Sequence, residues 1–181
     1  QRNLRRCEPR VRSLPYCLQT IADVTAHFAA ACLAAGASGI FSATQMACTG
    51  AVTEEEYETF GRPYDLRVLE TARGAEVLIL HAHGGGIYFD LLLDYPVHGL
   101  NWHDRRTSPS LAEARKRYDG CLVAGIGELY FGDRTPKEVR AEVRDALSQT
   151  GGLRHIVAPG CVIPIDAPEA NIEAAVRAVR E

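Results

Sequence analysis

The 181-residue chain has one tryptophan, one methionine and 7% aromatic residues, so its core must be built from small aliphatic side chains. It has no CxxC pair. The six cysteines, at 7, 17, 32, 48, 121 and 161, are scattered along the chain, which excludes a short-range disulfide framework and a zinc ribbon. It has little net charge: 20 basic against 23 acidic residues, formally −3, leave no electrostatic footprint for nucleic acid or an anionic membrane. Arg2, Arg5, Arg6, Arg10 and Arg12 crowd the N-terminus without interleaved aromatics and read as a solvated face rather than a binding arm. No GxGxxG follows the first predicted strand and no GxxxxGKS/T occurs, so dinucleotide-fingerprint and P-loop sites are not indicated. No stretch has the phases of a signal peptide, and no uninterrupted apolar run reaches membrane-spanning length. With unpaired cysteines this points to the reducing cytoplasm.

What is present is a regular alternation of helix and strand signals. The periodicity predicts helices over 20–35, 53–72, 87–93, 110–118, 135–149 and 168–181, and strands over 39–44, 77–83, 98–104, 121–126 and 155–161. Thr53-Glu54-Glu55-Glu56 is a capping box, Ser110 caps a helix, and Thr135-Pro136-Lys137-Glu138 combines a cap, a proline in the first turn and a glutamate three residues on. Pro63 predicts a break in the second helix. Continuous apolar strands separated by helices mean a parallel sheet buried on both faces, whose default at this length is an open, doubly wound sheet in a single domain spanning 1–181.

Polar residues gather where the strands end: Thr44-Gln45, His81 and His83, Asn101 with His103-Asp104, Glu128, and Cys161. Carboxyl ends of parallel strands build ligand sites. His81 and His83, two apart, share one face of their strand. With a thiolate from a later strand end they would make an N,N,S zinc set with one position open, as catalytic zinc has. A His-x-His pair alone is more often not a ligand pair. Trp102, Tyr88 and Phe89 are candidates for lining a ligand or for ordinary core packing, and Asp104 for capping the loop toward Ser110.

Several segments together resemble the uroporphyrinogen decarboxylase superfamily. Gly39-Ile40-Phe41 with Tyr57-x-x-Phe60-x-x-Pro63-Tyr64 is similar to its "IF…F…PY" segment, His81-Ala82-His83-Gly84 to its "LHxCG" strand, and Leu100-Asn101-Trp102 to its "xDW" strand. The helix 110–115 resembles its "DLAEAR" helix and the one beginning at Pro136 its "PEEIRAEV" helix. Pro159-Gly160-Cys161-x-x-Pro164, then Pro168-Glu169-x-Asn171, resembles its closing "GxxxPxxxPEN".

The resemblance implies an α/β fold, the (β/α) barrel of that superfamily, of which strands four to eight are present, about half a barrel without its N-terminal part. Open edges then imply a homodimer or pairing with the missing half. Of the superfamily's two branches, the zinc-dependent corrinoid methyltransferases resemble this chain better than the metal-free porphyrin decarboxylases. Their set is His-x-Cys on the fifth strand and Cys on the eighth, matched here by His81 and Cys161, with His83 in place of the first cysteine. The resemblance implies zinc as cofactor, held by His81, His83 and Cys161. It also implies transfer of a methyl group from a corrinoid, carried by a partner protein, to a small thiol. Glu128, Asn101 and Asp104 are the candidate catalytic or orienting residues, and Gln45, Trp102 and His103 the candidate substrate contacts. The alternatives are metal-free decarboxylation of a tetrapyrrole, or a half-barrel without activity of its own.

Overall fold

A computed structural model describes residues 8–181, with side chains described from residue 13 onward. The basic cluster at Arg2, Arg5 and Arg6, and Cys7, lie outside the described residues, as do the side chains of Arg10 and Arg12.

The elements run α1 (Glu8–Ala34), β1 (Gly39–Thr44), α2 (Glu54–Phe60), α3 (Arg62–Thr71), β2 (Val77–Ala82), α4 (Phe89–Leu92), β3 (Gly99–Trp102), α5 (Leu111–Arg117), β4 (Cys121–Ile126), α6 (Pro136–Thr150), β5 (His155–Pro159) and α7 (Glu169–Arg180). All five strands are parallel and lie side by side in the order β1-β2-β3-β4-β5. Spatial order equal to chain order, with a helix crossing between most neighbours, is the winding of a (β/α) barrel segment. The doubly wound sheet, whose order reverses, is ruled out. The sheet is not closed, so β1 and β5 are its two edges.

Local chemistry explains the boundaries. Thr53, Ser110 and Thr135 each accept the N–H of the third helical residue, whose glutamate (Glu56, Glu113, Glu138) accepts the cap's own N–H, giving complete capping boxes on α2, α5 and α6. The break between α2 and α3 falls at Gly61, where a side chain would run into the ring of Tyr57, and Pro63 sits harmlessly in the first turn of α3. α1 begins well before the predicted residue 20 and passes through Pro15. Its stretch Ser13–Ala34 is long and apolar enough to cross a membrane by length and composition, although Gln19, Asp23 and His27 interrupt it. That helix lies against α3, where Arg67 Nε donates to Asp23 Oδ1 at 2.5 Å.

Strand alternation sorts the side chains. Leu80, Ala82, Leu100, Trp102, Leu122 and Ala124 point to the helices and form the main core with Tyr57, Leu69, Phe89, Leu92 and Leu111. A second cluster, Ile126, Phe131, Val139, Val143, Ala174 and Ala178, lies where α6 and α7 cover β4 and β5. The opposite, concave face carries Val77, Ile79 and His81 from β2, Asn101 from β3 and Ile156 from β5. Phe41, Val77 and Ile156 stand 60%, 45% and 51% exposed there, as expected for a barrel interior left open.

Candidate metal centre

The register of β2 and β3 sets the site. His81 is the partner of Asn101, so His83 and His103, each two residues further on, leave their strands side by side on the same face. The structure brings His81, His83, His103 and Cys161 together, with one ligand atom from each lying within 4.8 Å of every other. His83 Nδ1 is the hub: His81 Nε2 lies 3.3 Å from it, His103 Nε2 3.4 Å and Cys161 Sγ 3.9 Å.

These separations suit one tetrahedral ion. With N bonds of about 2.0–2.1 Å and an S bond of about 2.3 Å, tetrahedral edges are about 3.3 Å between nitrogens and about 3.6 Å between nitrogen and sulfur. The proton arrangement suits it too. Asn101 Nδ2 donates to the carbonyls of Val123 at 2.5 Å and Pro159 at 3.1 Å, so its Oδ1 must accept from His81 Nδ1 at 2.6 Å. That leaves His81 Nε2 as a bare lone pair facing the cluster. Glu128 Oε1 lies 2.8 Å and Arg106 Nη2 2.7 Å from His103 Nδ1; with the donor-only guanidinium spending its N–H on the carboxylate, Nδ1–H donates to Oε1 and Nε2 is again a bare lone pair. Arg106 Nη2, 2.7 Å from that same oxygen, holds the carboxylate in place. Glu128 Oε2 is buried without a partner, consistent with a charge set to balance a cation.

Burial shapes the ionisation. Desolvation lowers the pKa of His81 and of His103, outweighing the hydrogen bonds from Asn101 and Glu128 that favour their cations. Both rings are therefore kept neutral, the form that ligates. Burial alone would raise the Glu128 carboxyl, but its own backbone N–H, the His103 ring and Arg106 bring it below the usual glutamate value. Gly160 admits no side chain: a Cβ there would stand 2.9 Å from His103 Cα and 3.1 Å from Glu128 Oε2. The close passage of the β5–α7 segment is what delivers Cys161. Asn171, buried at the start of α7, donates to the carbonyls of Phe131 and Arg134 at 2.7 and 2.9 Å and pins the loop that carries Glu128.

Other expected residues fall elsewhere. Trp102 is wholly buried on the helix side, beside Phe89, with its indole N–H donated to the Pro109 carbonyl at 2.9 Å. It contacts no substrate here, because alternation turns it away from Asn101. Asp104, by the same parity, faces away from the cluster: it accepts the Gly125 N–H at 3.0 Å and pairs with Arg105, and burial pushes its pKa up to about 6. It anchors the loop after β3 against β4. Gln45 is exposed just beyond β1, on the wall of a cavity against α1, outside the four-donor group. His103 joins the donor set instead of serving as a substrate contact. The signal that could have shown this is the equal spacing of His81-x-His83 and Asn101-x-His103 on adjacent strands. His155 is satisfied locally by Thr150 Oγ1 at 2.9 Å and the Ala124 carbonyl at 3.0 Å, and His98 accepts the Leu78 N–H at 2.8 Å.

The chain is thus a segment of a parallel (β/α) barrel with an inward-facing cluster of nitrogen and sulfur donors at the carboxyl ends of its strands. The sequence profile of the family described as uroporphyrinogen decarboxylase (URO-D) matches residues 11–181, and the chain belongs to that family. No curated protein matches it significantly. Among solved structures it is similar to a methyltransferase from Methanosarcina mazei, with a TM-score of 0.73 and 21% identity over 88% of this chain. The chain spans 46% of that structure's length. That likeness establishes the fold, a part of the URO-D barrel.

Proposed function

We propose that this chain carries the metal site of a zinc-dependent methyltransferase that moves a methyl group from a corrinoid, borne by a partner protein, to a small thiol. The observation that carries the reading is the convergence of His81, His83, His103 and Cys161 on one point, with two of the rings' N–H groups tied outward. When bound there, zinc would supply Lewis acidity that lowers the pKa of an acceptor thiol. His81 and His103 present fixed lone pairs because Asn101 and Glu128 hold their far nitrogens, and such partners set both ring orientation and ligand basicity. Cys161 contributes the set's single thiolate, leaving the site more electrophilic than a two-thiolate set. Gln45 is the exposed polar side chain left to contact substrate at the β1 end.

The activity belongs to a longer assembly. The free edges of β1 and β5 and the exposed Phe41, Val77 and Ile156 call for further strands, from the rest of the barrel or from a second copy of the chain. A cytoplasmic setting fits a cluster that needs a reduced thiolate. Metal-free decarboxylation, the activity in the family's description, is the alternative reading. It gives the inward-facing lone pairs no task. Metal analysis of the purified chain beside Cys161→Ser tests the proposal: about one zinc per chain is expected, strongly reduced in the variant. Equal and negligible metal in both, even after zinc is supplied, would defeat it.

A further inference from the structure

The four donors are not equivalent. His81 is 6% and His103 1% exposed, and each has its second ring nitrogen held by a buried group that is itself anchored: Asn101 by two carbonyls, Glu128 by Arg106. His83 and Cys161 are half-buried. Among the described residues nothing bonds His83 Nε2. His83 also stands one residue past the end of β2, immediately before Gly84-Gly85-Gly86, with φ at +101° on Gly84 and +64° on Gly86. Glycine takes these positive φ values without strain, and the backbone is held there, with the His83 N–H donated to the Thr44 carbonyl at 2.9 Å and the Gly86 N–H to Thr107 Oγ1 at 2.8 Å, so the freedom of His83 lies in its half-buried side chain. Cys161 is likewise unbraced, but it is the only anionic donor. Removing it from a dication costs far more than removing a neutral imidazole.

A tetrahedral ion with four protein donors has no vacancy. A thiol can bind only by adding a fifth ligand or by replacing one of the four. Resting on the metal reading above, we infer that His83 is the donor that gives way to the acceptor thiol, while His81, His103 and Cys161 keep hold of the ion. In that exchange the thiol's proton leaves to solvent, and the sulfur lone pair takes the place of the Nδ1 lone pair. One neutral ligand is exchanged for one anion, and coordination stays at four. The structure thus divides the site into a braced part that retains the metal and a swinging part that admits substrate.

The test uses the chain loaded with Co²⁺ and titrated with 2-mercaptoethanol, read by X-ray absorption and by the visible Co²⁺ bands. The expected change is from three nitrogens and one sulfur to two of each, with the intense bands of four-coordination retained. His83→Ala should weaken Co²⁺ binding by less than about tenfold, whereas His81→Ala and His103→Ala should weaken it by about a hundredfold or more. His83→Gln, which keeps bulk and polarity, serves as a second variant with the same expectation. A thiol adduct with three nitrogens and two sulfurs, no sulfur added at all, or a His83 variant as impaired as His81→Ala would overturn the inference while leaving the metal site standing. A wild-type chain that takes up no Co²⁺ would overturn the metal reading and this inference together.

Discussion

Two polar clusters in this molecule sit at the ends of neighbouring strands and differ in what their lone pairs face. One lies on the helix side of β1 and β2, where Tyr57 Oη donates to Asp65 Oδ2 at 2.7 Å and lies 2.7 Å from Tyr95 Oη and 3.5 Å from Thr44 Oγ1. Every hydroxyl there is used by its neighbours, and Arg62 covers the Tyr95 ring at 5.7 Å. Burial, followed by the field of Asp65, pushes the Tyr57 phenol above its ordinary value, so the phenol stays protonated at neutral pH, and burial likewise raises the Asp65 carboxyl. The other cluster, at the strand ends, sends its donors outward to Asn101 and Glu128 and leaves imidazole lone pairs and a sulfur facing one another. A closed polar network specifies a fold. A network whose acceptors converge on one point asks for a cation.

The comparison can be broken at several points. The largest effect should come from His81→Ala, which removes a braced donor: zinc affinity should fall by orders of magnitude in a competition titration with a chromophoric chelator. Circular dichroism should stay close to wild type. Lowering the pH should act next. Because Cys161 must give up its proton to bind as a thiolate, zinc affinity should rise with pH through neutrality. Because burial holds the His81 and His103 pKa values below that of free imidazole, about 6.5, protonation of these rings should steepen the loss only below that value. Metal retention during dialysis at graded pH checks this, and a loss that steepens already above pH 7 would contradict it. Glu128→Gln keeps the shape but removes the carboxylate from His103, and should cost about 10–100-fold in zinc affinity. Tyr95→Phe is the control in the tyrosine cluster. It should cost about 1–3 kcal/mol in denaturant unfolding, through the bond lost by Tyr57, and leave zinc affinity unchanged. If it changed metal binding as much as Glu128→Gln, the two clusters would not be separate in function.

How far the sequence alone could go is instructive at individual residues. The five strands, their parallel pairing and the capped helices follow from periodicity and from Thr53, Ser110 and Thr135, because those signals are local. His81, His83 and Cys161 could be singled out, but their meeting required knowing that the strands lie in chain order. Composition left that choice open, and the resemblance supplied it. Both His103 and Trp102, expected as substrate contacts, lie elsewhere, in the donor cluster and in the core, because a two-residue parity argument needs the register, and β3 is too short to announce its own. Asp104, beside His103 in sequence, points the opposite way for the same reason. The reach of α1 back through Pro15 could not be read, since proline is ordinarily a stop signal.

The three capping boxes have a bearing on how this scaffold can change. Each closes a loop that starts at a strand end on the site side: 45–53 after β1, 103–110 after β3 and 127–135 after β4. The helix beyond each loop begins at a point fixed by its own hydrogen bonds, whatever the loop before it contains. Away from His103 to Arg106 and Glu128, which hold the site, exposed residues between strand end and cap can be exchanged with little disturbance to the wall behind. Natural and engineered variation in this architecture should therefore collect at those exposed positions, with Thr53, Ser110 and Thr135 as the posts between which it is strung.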